Sequence, residues 1–194
     1  MEKKTTGEMI QEIRNKKSAH QMWLRRKVAP YITSIWEDLL ESDEGSGKDT
    51  IHSLEFHDAI WMASTWLLPG LEVQVVVDDN WNLFISSGTA GFVGFPKEPK
   101  GMKLPIRCWI HTHPFGSAYF SGIDWKTVSV WEKHMDCAYV LGGGNHYGFW
   151  EQKNPNELTI YHEPVDGFKD EFRVQVKSES LNIPEPEGEL DDIY

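Results

Sequence analysis

Residues 106–124 read IRCWIHTHPFGSAYFSGID: an apolar run closing on two histidines, a loop of small residues, then an acid where a helix begins. Ile106–Ile110 has the composition of a buried strand and delivers His111 at its end. Period-two geometry turns His111 and His113 to the same face, within reach of one ion. Pro114 cannot donate to a ladder and stops the strand. The Gly- and Ser-rich loop brings the chain back so that Asp124, opening a helix over Asp124–His134 with Val128 and Trp131 inward, supplies a third donor. Two imidazole nitrogens and one carboxylate oxygen suit Zn²⁺ and leave a fourth tetrahedral position open. Taken singly these residues say little. A pair of histidines on a strand is common, Asp124 alone is a helix N-cap or first-turn acid, and Ser121 alone is a turn residue. Their joint spacing is what points to a metal.

On the N-terminal side, Thr89–Phe95 reads as a further strand and Pro96–Gly101 as a loop. Glu72–Val77 is a β-branched run, hence a strand, and Asn80 with its neighbours turns it into another over Trp81–Ser86. Before these, an extended piece is expected around Thr50–Phe56. A helix should follow to about Leu68, with Phe56, Ile60, Ala63 and Leu67 on one face and Pro69-Gly70 as its stop. Residues 7–42 look helical and somewhat separate, with Met9, Ile10, Ile13, Trp23, Leu24 and Val28 at roughly helical spacing. Pro30 is expected to interrupt them, leaving a second short helix over Tyr31–Leu40. Ser42–Asp49 is a polar linker.

On the C-terminal side, Ala138–Leu141, Tyr147–Glu151 and Leu158–Tyr161 read as three strands, with Gly142–His146 as a hairpin turn. The last residues, with Pro184, Pro186 and an acidic end, read as a mobile tail. The pattern is that of an α/β protein with a mixed sheet flanked by helices. It divides into an N-terminal helical extension (1–45), a main domain (50–165) and a C-terminal segment with the acidic tail (166–194).

The 194 residues suffice for one domain with a modest extension. Thirty acidic against 19 basic residues leave a net charge of −11, which argues against nucleic-acid binding. The opening residues MEKKTTGEMIQEIRNKK lack the apolar core of a secretory signal, and no apolar run is long enough to span a membrane. A cytoplasmic protein with no membrane partner is the expectation. Cys108 and Cys137 lie in apolar runs and read as buried free thiols, with a disulfide or a metal role as alternatives. His52, His57, His134 and His146 do not share the spacing of the pair and read as surface or core histidines. The Trp-bearing N-terminal helices suit docking on the main domain, a protein partner or self-association, and the sequence does not choose among these.

His111-x-His113-Pro114, seven residues on to Ser121 and two more to Asp124, resembles the motif of the JAMM metalloproteases, the metal-binding MPN/JAB group. Trp109 before it, and Phe120-Ser-Gly-Ile-Asp124 after it, look especially like the members that remove ubiquitin from proteins. The resemblance covers residues 50–165. It implies a cytidine-deaminase-like JAB/MPN fold and one zinc per chain on His111, His113 and Asp124. It implies Ser121 as the residue that holds the oxyanion and an upstream glutamate as general base. Glu72, at the head of the strand after the first domain helix, takes that place. The family commonly has glycine three residues later where this chain has Val75, so Glu55 stands as the alternative.

The activity implied is hydrolysis of an isopeptide (or peptide) bond at the C-terminus of ubiquitin or a ubiquitin-like protein. The extended tail of such a substrate would add beside a sheet edge, between Phe115–Phe120 and Gly88–Gly101. Phe92, Phe95, Phe115, Tyr119 and Phe120 are the candidate apolar contacts. The alternative is a non-catalytic MPN-type scaffold that binds a protein partner, although family scaffolds usually lack part of the ligand set found here. A DNA-repair-associated relative is disfavoured by the acidic charge.

Overall fold

The computed structural model describes residues 6–42, 46–95, 99–143, 146–153, 157–162 and 170–175. Its strands are β1 (Val73–Val77), β2 (Leu83–Ser87), β3 (Ile106–His113), β4 (Met135–Gly142), β5 (His146–Glu151), β6 (Glu157–His162) and β7 (Asp170–Gln175). They form one sheet in the order β2-β1-β3-β4-β5-β6-β7. Every neighbouring pair is antiparallel except β3–β4. A parallel pair needs a crossover, and here it is α4 (Gly122–Trp131) followed by a 3₁₀ turn (Glu132–His134). The expected α/β architecture with a mixed sheet flanked by helices is therefore present. β7 adds a strand within the segment expected only as C-terminal segment and tail. The acidic tail itself and residues 43–45, 96–98 and 144–145 of the expected linker, loop and hairpin turn lie outside the described residues.

The sheet centre is apolar on both faces, as parallel pairing under helices requires. Val73, Val75, Val77, Cys108, Ile110, Tyr139 and Leu141 belong to one core cluster, with Phe56 and Ile60 of α3 (Leu54–Met62). Val76, Trp109, Ala138 and Val140 alternate onto the other face, with Phe120 and with Val128 of α4. Cys108 and Cys137 face each other across β3 and β4 as buried free thiols.

Three local expectations need correction. First, α1 runs unbroken from Thr6 to Glu41 with Pro30 inside it, over about 54 Å. Val28, Ile32 and Trp36 are buried in the first core cluster, while Pro30 is exposed. The proline ring thus meets solvent, and tertiary packing outweighs one lost backbone hydrogen bond. Pro30→Ala restores that bond and is expected to raise stability by up to about 3 kcal/mol in urea unfolding. An unchanged midpoint would show that the helix is already relaxed around the proline.

Second, the piece expected to be extended around residues 50–56 is helical at both ends. Ser46 caps α2 (Gly47–Thr50) by accepting the Asp49 N–H, and Ser53 caps α3 through the Phe56 N–H. Two successive serine caps restart helix where an apolar reading sees strand. Third, residues 89–95 form no strand. The Thr89 N–H closes a turn onto the Phe92 carbonyl at 2.7 Å, and Ser86 Oγ donates to the Gly94 carbonyl at 2.8 Å. That folds the segment back beside β2 instead of extending it.

The end of α3 passes into a π-helical turn, Ala63–Leu67, with the Leu68 N–H bonded to the Ala63 carbonyl at 3.0 Å. Gly70 then takes φ +80°, and the Phe115 ring lies where its Cβ would be. Among the described residues, no helix is long and apolar enough to cross a membrane.

His57 of α3 is a buried core histidine, as its spacing suggested. Its Nε2 donates to the Ile51 carbonyl at 2.9 Å, its Nδ1 has no partner, and its ring lies 4.4 Å from Tyr139. Burial lowers its pKa from 6.5 to about 4, against the Ile51 carbonyl. The unfolded chain then binds the extra proton first, so stability is full above pH 6.5 and falls as pH drops from 6.5 towards 4. The loss amounts to about 3 kcal/mol across that window. A His57→Gln variant should show a flatter stability profile between these values in denaturant titrations. An identical slope would assign the acid sensitivity to other groups.

Candidate metal centre

β3 carries both histidines to its end, three residues further than the composition of Ile106–Ile110 indicates. From Cys108 on, the even-numbered residues of β3 face the first core cluster and the odd-numbered ones the side of α4, so Trp109, His111 and His113 form a ladder there. Trp109 stacks on His111 with ring centroids 4.4 Å apart and planes at 11°, and His113 stands edge-on to His111 at 5.0 Å. Trp109 is in turn held by its indole N–H, which donates to Gln74 Oε1 at 3.2 Å.

The loop after Pro114 returns the chain over the end of β4. Ser117 and Ala118 lie so close to Gly142 that any Cβ there would sit 2.3 Å from the Ala118 nitrogen. The Gly143 N–H bonds the Gly116 carbonyl at 3.0 Å. This approach delivers Ser121 and Asp124 to the histidines. Ser121 is the N-cap of α4: its Oγ accepts the Asp124 N–H, and its own N–H donates to Asp124 Oδ2 at 2.7 Å. The reciprocal capping box fixes the Asp124 rotamer. Of the plain readings, first-turn acid is the correct description of Asp124, while Ser121, read alone as a turn residue, is the helix N-cap.

Asp124 Oδ1 lies 3.2 Å from His111 Nε2, and Oδ2 lies 3.5 Å from His113 Nε2. One ligating atom from each of the three residues falls within 4.8 Å of the others. His113 Nδ1 sits 3.3 Å from the Ser117 carbonyl, a partner for an Nδ1–H that would orient Nε2 towards a metal. His111 is almost wholly buried, and neither of its ring nitrogens has an aligned hydrogen-bond partner despite the short approach of Asp124. Two imidazoles, one almost wholly buried, converging on a carboxylate fit a divalent cation. These three side chains could hold a metal ion.

Electrostatics agree with that use. Burial depresses the pKa of His111, against the attraction of Asp124. Burial also disfavours a charged His113, but its bond to Asp124 outweighs this and raises its pKa. Burial pushes Asp124 up, yet His111, His113 and Ser121 together hold it well below the usual carboxylate range. The cluster is therefore a carboxylate held ionised against two imidazoles.

Glu72 precedes β1 and is 6 % exposed. Its backbone N–H donates to the Thr89 carbonyl at 2.8 Å, and its carbonyl accepts the Gly88 N–H at 2.9 Å. Burial raises its pKa, His113 lowers it and Asp124 raises it further, so its carboxylate lies in the field of the cluster without being among the converging atoms. Glu55, by contrast, is exposed in the first turn of α3.

Glu72, His113, Ser121 and Asp124 are among the residues lining a cleft of about 460 Å³. Gln74, Val76 and Trp109 line it along the sheet, with Phe92, Phe95, Met102, Trp131 and Met135 also in its walls. No lysine or arginine lines it among the described residues. Phe92 and Phe95 are thus cleft residues as expected, whereas Phe115, Tyr119 and Phe120 are not. Phe115 lies over Gly70, Tyr119 stands edge-on to His113 at 5.5 Å, and Phe120 is buried in the second core cluster. Gln74, Met102, Thr127 and Trp131 were not anticipated. Only the alternation of Gln74 with Glu72 along β1 could have pointed to any of them.

No protein-family model matches this chain, and comparison with curated proteins and with solved structures yields no match.

Proposed function

We propose that the chain is a zinc-dependent hydrolase of the JAMM type, built on a JAB/MPN fold. Its substrate would be an isopeptide or peptide bond at the C-terminus of ubiquitin or a ubiquitin-like protein. The observation that carries the reading is the convergence of His111, His113 and Asp124, with His111 almost wholly buried and Glu72 buried beside them.

His111 Nε2, His113 Nε2 and Asp124 would hold the zinc. When bound there, zinc supplies a Lewis acid that makes water reactive near neutral pH and polarises the scissile carbonyl. Glu72 takes the proton of the attacking water and returns it to the departing amine. Ser121, which lines the same cleft, donates to the oxygen that becomes negative; one such donor is typically worth about 3 kcal/mol. The cleft wall from Gln74 to Phe92 and Trp131 excludes water and accepts an extended apolar-to-neutral tail. A reducing, cytoplasmic setting belongs to the same proposal, consistent with the two free thiols that face each other across β3 and β4.

The test is cleavage of a ubiquitin–lysine isopeptide by the purified chain, with and without a chelator, alongside elemental analysis. Chelator-sensitive cleavage with about one zinc per chain supports the reading. A zinc-loaded but inert protein would leave a metal site and remove the substrate class. No zinc after refolding with metal would favour a scaffold that binds a partner without catalysis.

A further inference from the structure

Glu72 faces the histidines on one side of the sheet, and what holds it there lies on the other. Thr112, between the two histidines, alternates to the opposite face and is fully buried with Ser64 of the π-helical turn. Thr112 Oγ1 accepts the Val73 N–H at 3.0 Å and donates to Ser64 Oγ at 2.8 Å. Ser64 Oγ donates onward to the Leu71 carbonyl at 2.6 Å, and the Ser64 carbonyl accepts the Gly70 N–H at 3.0 Å. Leu71 and Val73 are the two chain neighbours of Glu72. The contact also falls where the backbone ladder stops: β1 and β3 pair from Val77–Cys108 as far as Gln74–His111. At the next position a side-chain hydroxyl replaces the backbone partner.

Resting on the reading of Glu72 as the base, we propose that Thr112 and Ser64 are positioning residues whose hydroxyl relay sets Glu72 against the histidine pair. A hydrogen bond to the chain on each side of a residue orients both peptide planes that meet at its Cα. Because the relay starts between His111 and His113, the base and the two imidazoles are fixed to one another and not merely to the same domain. Valine in place of Thr112 keeps the shape but leaves the Val73 N–H buried without a partner. A displacement of about 1 Å in a reacting group lowers turnover by on the order of 10²-fold.

The experiment compares the full chain with Thr112→Val, Thr112→Ser and Ser64→Ala. In metal-free protein, amide exchange followed by NMR should quicken roughly 10-fold or more at Val73 in Thr112→Val relative to Val75 and Val77. Thr112→Ser should restore it. On the ubiquitin–lysine isopeptide, kcat should fall about 10- to 100-fold in Thr112→Val, with KM and zinc content unchanged and recovery in Thr112→Ser. Ser64→Ala should lower kcat in the same direction while Val73 keeps its protection, and it serves as the second variant if Thr112→Val does not fold. Unchanged exchange at Val73, equal acceleration throughout β1, or an unchanged kcat would each overturn the proposal. If the wild-type chain cleaves nothing, the assignment of hydrolysis falls, while the exchange data still decide whether the relay fixes the chain around Glu72.

Discussion

On the proposed reading, Glu72→Gln abolishes most hydrolysis, by roughly 10²- to 10⁴-fold in kcat, with metal content unchanged. The amide is nearly isosteric and still fits a buried position, and the bonds from the Glu72 backbone to Gly88 and Thr89 do not involve the side chain. What is lost is the capacity to take and return a proton. Glu72 lies outside the converging ligand atoms of His111, His113 and Asp124, so metal content should not change. Glu55→Gln is the matched control: Glu55 is exposed on α3, and its substitution should leave turnover within about twofold. Full activity in Glu72→Gln would remove this residue from the mechanism. Loss of zinc in it would make it a ligand instead of a base.

His113→Ala should lose metal and activity together. Removing one of three ligands is more severe than removing an outer partner, which alone typically weakens metal binding about 10- to 100-fold. His113 is the better choice than His111 because it is only partly buried, whereas His111 is packed between Trp109 and the rest of the site. The fold should survive, and elemental analysis should drop from about one zinc per chain to near zero. Retention of stoichiometric zinc would place the metal elsewhere and sink the site as described.

The metal cluster was legible because its chemistry is local. His111 and His113 sit two apart on one strand, and the period of an extended chain alone turns both to one side. Asp124 was legible as the start of a helix, whereas the capping box that Ser121 makes with it three residues earlier emerged only in the structure. The strands from β3 to β6 were legible for a similar reason: continuous apolar runs separated by glycine or asparagine leave few alternatives.

The failures share a cause as well. Pro30 breaks a helix only when nothing else holds it, and the burial of Val28, Ile32 and Trp36 holds this one. Residues 89–95 have strand composition but turn back on their own backbone at Phe92. Phe115, Tyr119 and Phe120, candidate contacts by chain proximity to the histidines, do not line the cleft: Phe115 lies over Gly70, and Tyr119 and Phe120 pack beside His113 and His111.

By itself, then, the sequence determined the strand and helix that carry His111, His113 and Asp124 and the spacing that lets them converge, since each depends on contacts within a few residues. Only the tertiary structure decided which glutamate meets the histidines, which aromatics wall the cleft, and that Thr112 and Ser64 grip the chain around Glu72. Those relations join β1, β3 and the turn after α3 across 39 and 48 residues of chain. No local periodicity encodes such pairings; the sheet register and the burial of both its faces select them.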